Sequence, residues 1–193
     1  MTQVAPFPPV GAVAATPPIP PAPVFLCGLP GSGKSTVAPL LAARLGYRAV
    51  DSDQELERRS GRSVVGWFAA EGEAGFRGAE RRVVADLSRR QRVVVALGGG
   101  ALEDPATRGR LRRRGRCLWL DAPLPELVRR CAGGPRRPLL DRDPAARLAE
   151  LAARRLPVFA ALALRVETGG RLPAEVAAAC ARALTLAPAP GAR

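Results

Sequence analysis

The sequence predicts an α/β fold, a three-layer sandwich in which a central five-stranded parallel sheet lies between two layers of helices. Three observations carry this expectation. Short apolar runs alternate with segments of helical period. A glycine-rich turn joins the first run to the first helix. The chain has 193 residues, 47% of them apolar, enough for one core without disulfides or a structural metal.

Residues 1–23 hold many prolines, several alanines and no charge. Such a stretch cannot bury enough apolar area to offset its ordering entropy, so a disordered tail is expected. The first strand is Val24–Cys27, closed by glycine. The helix after it places Val37, Leu40, Leu41 and Leu45 on one stripe, with Pro39 inside it and a mild bend expected there. Strand two is Ala49–Asp51. A second helical face reads Phe76, Val83, Val84 and Leu87. Strand three, Val93–Leu97, ends at Gly98-Gly99-Gly100. Asp104-Pro105 reads as a helix cap followed by proline at the first helical position. Cys117–Leu120 and Leu164–Val166 are strands four and five. Between them, at about 132–143, glycines flank a basic, proline-stiffened segment with the character of a mobile lid. The domain spans 24–187, and residues 188–193 are expected to fray.

Net charge is +13, and the chain contains no histidine, which excludes histidine bases and histidine metal ligands. Positive charge points to nucleic acid or small anions as partners. Most of it is arginine spread along the chain, which reads as compositional bias. The sole lysine is Lys34. Four cysteines show no CxxC pair, and Cys27 and Cys117 fall in apolar runs, so a reduced, cytoplasmic setting is expected. The N-terminus lacks the charged region of a secretory signal. No apolar run reaches the ~18 residues of a membrane span, so a soluble protein is expected.

Gly28-Leu29-Pro30-Gly31-Ser32-Gly33-Lys34-Ser35-Thr36 satisfies G-x-x-x-x-G-K-[ST] between a strand and a helix, the context this motif requires. Its backbone N–H groups and helix N-terminus suit the phosphates of ATP. Gly31, Ser32, Gly33, Lys34, Ser35 and Thr36 are therefore nucleotide-binding candidates. Lys34 is the cation for the β- and γ-phosphates, and the Ser35 hydroxyl a ligand of Mg²⁺.

Asp51 and Asp53 follow strand two at spacing i, i+2, facing the crevice where α/β sheets bind ligands. One acid can hold the Mg²⁺ hydration shell while the other meets an acceptor hydroxyl. The competing reading is a helix cap, especially Asp53 before Gln54-Glu55. Arg77 and Arg155 carry guanidinium forks that match a planar carboxylate, although an arginine in so basic a chain is ordinarily a solvated one. Glu80 lies one helical turn from Arg77 and can orient it.

The ordered blocks are the phosphate loop, Asp51-Ser52-Asp53, Gly72-Glu73 with Phe76-Arg77 and Glu80, Gly98-Gly99-Gly100, Arg137-Pro138-Leu139-Leu140, and Arg155-Leu156-Pro157-Val158-Phe159. This set closely resembles the shikimate kinase family, whose pattern runs phosphate loop, D-[ST]-D, G-E-x-x-F-R-x-x-E, G-G-G, R-P-L-L, R-x-P-x-Y. The resemblance spans about residues 24–185. It implies ATP-dependent phosphorylation of the shikimate 3-hydroxyl, with Mg²⁺, by a cytoplasmic monomer that serves aromatic amino acid biosynthesis. It further implies that Arg77 and Arg155 hold the shikimate carboxylate. Asp53 and the Gly98–Gly100 backbone meet the ring hydroxyls, and Asp51 joins Ser35 at the metal. Arg137 reaches the phosphates from the lid, with Lys34 and Asp53 as its catalytic companions. Arg130, Arg171 and Pro173 match adenine-contacting positions. Phe159 stands where the family has tyrosine, and Glu167 where it often has aspartate.

The nearest rival is another small-molecule kinase on the same fold, such as a gluconate or nucleoside monophosphate kinase. The acid pair with Phe76-Arg77 and Arg155-x-Pro157 argues against it. A nucleic-acid binder driven by charge would need aromatic stacking platforms, and aromatics make up 4% of the chain. An inactive phosphate-loop scaffold does not explain why every catalytic position is intact.

Overall fold

The computed structural model describes residues 21–132 and 143–186. In chain order the elements are β1 (Val24–Cys27), α1 (Lys34–Leu45), β2 (Arg48–Asp51), α2 (Ser52–Ser60), α3 (Val64–Leu87) and β3 (Val93–Ala96). A 3₁₀ turn (Ala101–Glu103) follows, then α4 (Pro105–Arg114), β4 (Arg116–Asp121), α5 (Leu124–Ala132), α6 (Pro144–Leu162), β5 (Leu164–Glu167) and α7 (Pro173–Leu186). The strands form one parallel sheet in the order β2-β3-β1-β4-β5.

β1 lies at the centre because all four of its residues are apolar and both of its faces are covered. Alternation sends Phe25 and Cys27 to one face, against α3 and α6, and Val24 and Leu26 to the other, against α1 and α7. The result is the three-layer sandwich expected from sequence. Strand bounds differ by a residue or two: β2 begins at Arg48, β3 stops at Ala96, and β4 and β5 extend to Asp121 and Glu167.

Two details of the helices depart from the sequence pattern. α1 buries Val37, Ala38, Leu41 and Ala42, whereas Leu40 is 38% exposed. Alanines against the sheet set the stripe, which rotates Leu40 outward; the helix runs unbroken through Pro39. α3 is two helical segments joined at Gly72, whose φ of 65° and ψ of −172° are non-helical. Phe68 and Phe76 stack across that joint with centroids 4.7 Å apart.

Pro21 and Pro23, at the end of the expected tail, lie against the sheet: their carbonyls accept from Arg92 N and Arg116 N at 2.8 and 3.0 Å. The remainder of that tail, most of the expected lid with Arg137, and residues 188–193 lie outside the described residues. Strand order changes direction across β1 and β3, so a crevice opens beyond their carboxyl ends, where the phosphate loop and the triple glycine emerge.

Candidate active site

The phosphate loop leaves β1 and enters α1 through Gly33, which caps the helix with φ 91° and ψ 14°. That left-handed backbone is open to glycine and strained for other residues. Gly28 is fixed by contact as well, since a Cβ on it would sit 2.5 Å from the Leu120 carbonyl oxygen. Lys34 Nζ donates to the Gly28 and Leu29 carbonyls at 2.9 and 3.2 Å, arching over its own loop. Ser32 is buried within the loop, and Thr36 is on the exposed side of α1.

At the end of β2 the two acids divide their work differently from the sequence expectation. Asp51, not Asp53, caps α2: its Oδ1 accepts from Asp53 N at 3.0 Å and from Gln54 N at 3.3 Å. Its Oδ2 accepts from Ser35 Oγ at 2.7 Å. The strand alternation assumed for the pair does not apply, because α2 begins at Ser52 and Asp53 sits in its first turn. Asp53 is thereby freed from capping. Its Oδ1 is buried without a hydrogen-bond partner among the described residues. Burial first, then the Glu80 and Asp51 carboxylates, push its carboxyl up to about 7 against the pull of Lys34 and Arg77.

The glycine run after β3 is a floor on which each residue faces a different functional side chain. A Cβ on Gly98 would lie 2.4 Å from Asp53 Oδ1 and 2.6 Å from Glu80 Oε1. One on Gly99 would lie 3.2 Å from Arg155 Nη1, and one on Gly100 2.3 Å from Arg77 Nη1. Glycine here makes room for the site's own groups. Ser52, which sequence reasoning passed over, pins the floor by accepting from Gly98 N at 2.8 Å through its buried hydroxyl. Arg77 Nη1 donates to Glu80 Oε2 at 2.8 Å, the orientation the i, i+3 spacing predicts. Burial opposes the Arg77 charge, and Glu80 outweighs it. Arg155 is 4% exposed, and its Nε donates to Glu103 Oε1 at 2.8 Å. A cavity of about 260 Å³ adjoins this cluster, walled by Arg77, Glu80, Gly100 and Glu103.

On the other side of the phosphate loop, a cleft of about 300 Å³ is lined by Gly31, Gly33, Thr36, Arg130, Arg171 and Pro173, which come from three separate stretches of chain. Arg130 ties the cleft together, donating to the Thr168 carbonyl at 2.8 Å and to Glu126 at 2.5 Å. Thr168 and Glu126 are further residues that sequence reasoning did not single out.

Comparison with known proteins gives the family. The family model described as shikimate kinase matches residues 30–185. The chain belongs to the shikimate kinase family. A shikimate kinase from Paramagnetospirillum magneticum is 45% identical over 151 residues, 78% of this chain and 77% of that protein. The solved shikimate kinase of Acinetobacter baumannii, in complex with shikimate, superposes with a TM-score of 0.81 at 33% identity, covering 84% of this chain and 92% of its own. A gluconokinase from Sinorhizobium meliloti shares the fold alone, with a TM-score of 0.55 at 18% identity, 85% of this chain and 91% of its own.

Within the shikimate kinase family this chain's phenylalanine at 159 is accommodated by its surroundings. Phe159 is buried and tilts against Trp119 with centroids 6.1 Å apart, an apolar setting in which a tyrosine hydroxyl would need a partner. Among the described residues no helix is long and apolar enough to cross a membrane.

Proposed function

We propose that this shikimate kinase family member transfers the γ-phosphoryl of ATP to the 3-hydroxyl of shikimate, giving shikimate 3-phosphate and ADP. The observation that carries the reading is the convergence of two arginines and one orphaned carboxylate on a glycine floor beside a phosphate loop. The floor and the loop emerge from neighbouring strands, which brings acceptor and donor to one crevice. Arg77 and Arg155 fit the single carboxylate of the acceptor as guanidinium forks. Asp53 Oδ1 accepts the acceptor hydroxyl's proton in a hydrogen bond, which satisfies an oxygen otherwise buried without a partner.

ATP enters through the loop and the cleft lined by Arg130, Arg171 and Pro173. Loop N–H groups and Lys34 meet the β- and γ-phosphates, so negative charge on the transferring group is offset where it develops. The hydroxyl oxygen forms the new bond to phosphorus, the β–γ bridging bond breaks, and ADP leaves with the electron pair. The hydroxyl proton passes to Asp53 or, through it, to solvent. Arg137 is assigned to the phosphates on family resemblance. Mg²⁺ fits Ser35 Oγ and Asp51 Oδ2, two hard oxygen donors held together at 2.7 Å. When bound, the ion would neutralise charge shared by the β- and γ-phosphates.

The same reading makes the protein a cytoplasmic monomer with no specific nucleic-acid partner. An ADP-release assay with shikimate, quinate and gluconate side by side tests the function. Turnover with shikimate and near-background rates with gluconate are expected; a preference for gluconate would overturn the assignment.

A further inference from the structure

The two arginines over the glycine floor are supported in different ways. Arg77 is held within its own helix by Glu80, three residues on. Arg155 comes from α6 and is held from outside it by Glu103, the last residue of the 3₁₀ turn that follows the glycines. Glu103 is gripped at both oxygens. Its Oε1 accepts from Arg155 Nε at 2.8 Å, and its Oε2 accepts from Arg154 Nη2 at 2.7 Å. The plane of this carboxylate is therefore fixed by two consecutive residues of α6, one buried and one 60% exposed.

A guanidinium can meet a carboxylate along its Nε side or across its two Nη groups. With Nε occupied by Glu103, and with Nη1 beside Gly99, Arg155 turns its Nη end to the floor of the site. Burial disfavours the charge on Arg155, and Glu103 opposes that effect directly. Glu103 in turn is held below the usual carboxylate range: burial works against this, and the Arg155 hydrogen bond prevails, helped by Arg154 and Arg77.

We propose that Glu103 is a positioning residue for acceptor capture: it occupies the Nε edge of Arg155, so that the arginine presents its two Nη groups to the acceptor carboxylate. The proposal rests on the reading that Arg155 grips that carboxylate. Glu103 does not line the cleft beside the phosphate loop, so its influence is expected on acceptor binding rather than on ATP. It also links the glycine floor to α6 across 52 residues of sequence, keeping Gly99 and Arg155 in register.

The test is steady-state kinetics on Glu103→Ala, Glu103→Gln, Arg155→Ala and the Glu103→Ala/Arg155→Ala double variant of the full chain. Glu103→Ala is expected to raise KM for shikimate roughly tenfold while leaving kcat and KM for ATP within about twofold. Glu103→Gln keeps an oxygen that accepts from Nε and should restore KM to within about threefold of the parent, which also covers the case in which the alanine variant folds poorly. In the Arg155→Ala background, Glu103→Ala should add nothing further, the signature of two residues acting as one unit. A normal or lowered shikimate KM in Glu103→Ala, a glutamine variant as impaired as the alanine one, or an undiminished effect without Arg155 would each overturn the proposal. If Arg155→Ala itself leaves shikimate KM unchanged, the carboxylate-clamp reading falls and the role of Glu103 falls with it.

Discussion

Ser35 Oγ donates to Asp51 Oδ2 at 2.7 Å, while Oδ1 of the same carboxylate caps α2. One side chain thus joins the start of α1 to the start of α2. The two oxygens have separable duties, which mutation can distinguish. Asp51→Asn retains an oxygen for the cap and should melt within a few degrees of the parent. If Asp51 helps to hold Mg²⁺ as proposed, the Mg²⁺ concentration giving half-maximal turnover should rise at least severalfold. Asp51→Ala loses both, adding about 1 kcal/mol of lost capping. Magnesium titrations of turnover and thermal melts on both variants check the division; an unchanged Mg²⁺ requirement in Asp51→Asn would remove Asp51 from the metal site.

Lys34 arches over its loop, donating to the Gly28 and Leu29 carbonyls, and is not among the buried core residues. Lys34→Ala should therefore fold normally and lose turnover by roughly 10²–10³-fold or more, the scale for removing a preorganised charge from a transition state. Circular dichroism and single-turnover kinetics separate the two effects. Native-like spectra with near-parental turnover would refute the role.

The parallel sheet was legible because its central strands are unbroken apolar runs bounded by turn residues, which two-sided burial demands. The division of labour between Asp51 and Asp53 was not. Either acid can cap α2, and the choice depends on whether the helix begins at Ser52 or two residues later, a difference of one hydrogen bond. Glu80 was found by spacing because its partner lies on the same helix. Glu103 was missed because its partner is 52 residues away, and no local period relates a 3₁₀ turn to α6. Leu40 was misplaced for a related reason: alanines count weakly in an apolar pattern but pack closely on a sheet.

Glu55 gives the fold a dependence on acid. It is buried on α2 and bonded to Arg58 and Arg59, with Arg90 at 3.3 Å. The Arg58 hydrogen bond leads the causes that lower its carboxyl to about 2. A carboxyl lowered in the folded state stabilises the protein above its unfolded value near 4.3, and that contribution is lost as pH falls toward 2. The melting temperature of the parent should drop through this window. Glu55→Gln should start lower at pH 7 and show a shallower decline between pH 4.5 and 2. Parallel melting curves for the two proteins would assign the acid sensitivity elsewhere.

Arg77, Arg155 and Asp53 surround one glycine run but should fail in different ways. If the arginines hold the acceptor carboxylate, Arg77→Ala or Arg155→Ala removes a charged hydrogen bond worth about 2–3 kcal/mol, roughly a hundredfold in kcat/KM for shikimate. The loss should fall on shikimate KM and spare KM for ATP, because neither guanidinium lines the cleft that contains Arg130 and Arg171. Asp53→Asn keeps the shape and one oxygen but loses the charge proposed to orient the hydroxyl and accept its proton. Its damage should appear mainly in kcat. Phosphoryl transfer is largely dissociative, so orientation can outweigh proton removal, and a modest kcat loss would favour the orienting role. Equal weakening of ATP and shikimate in the arginine variants would break the clamp assignment. Full kcat in Asp53→Asn would leave its buried Oδ1 without a function, since Asp51 already supplies the cap.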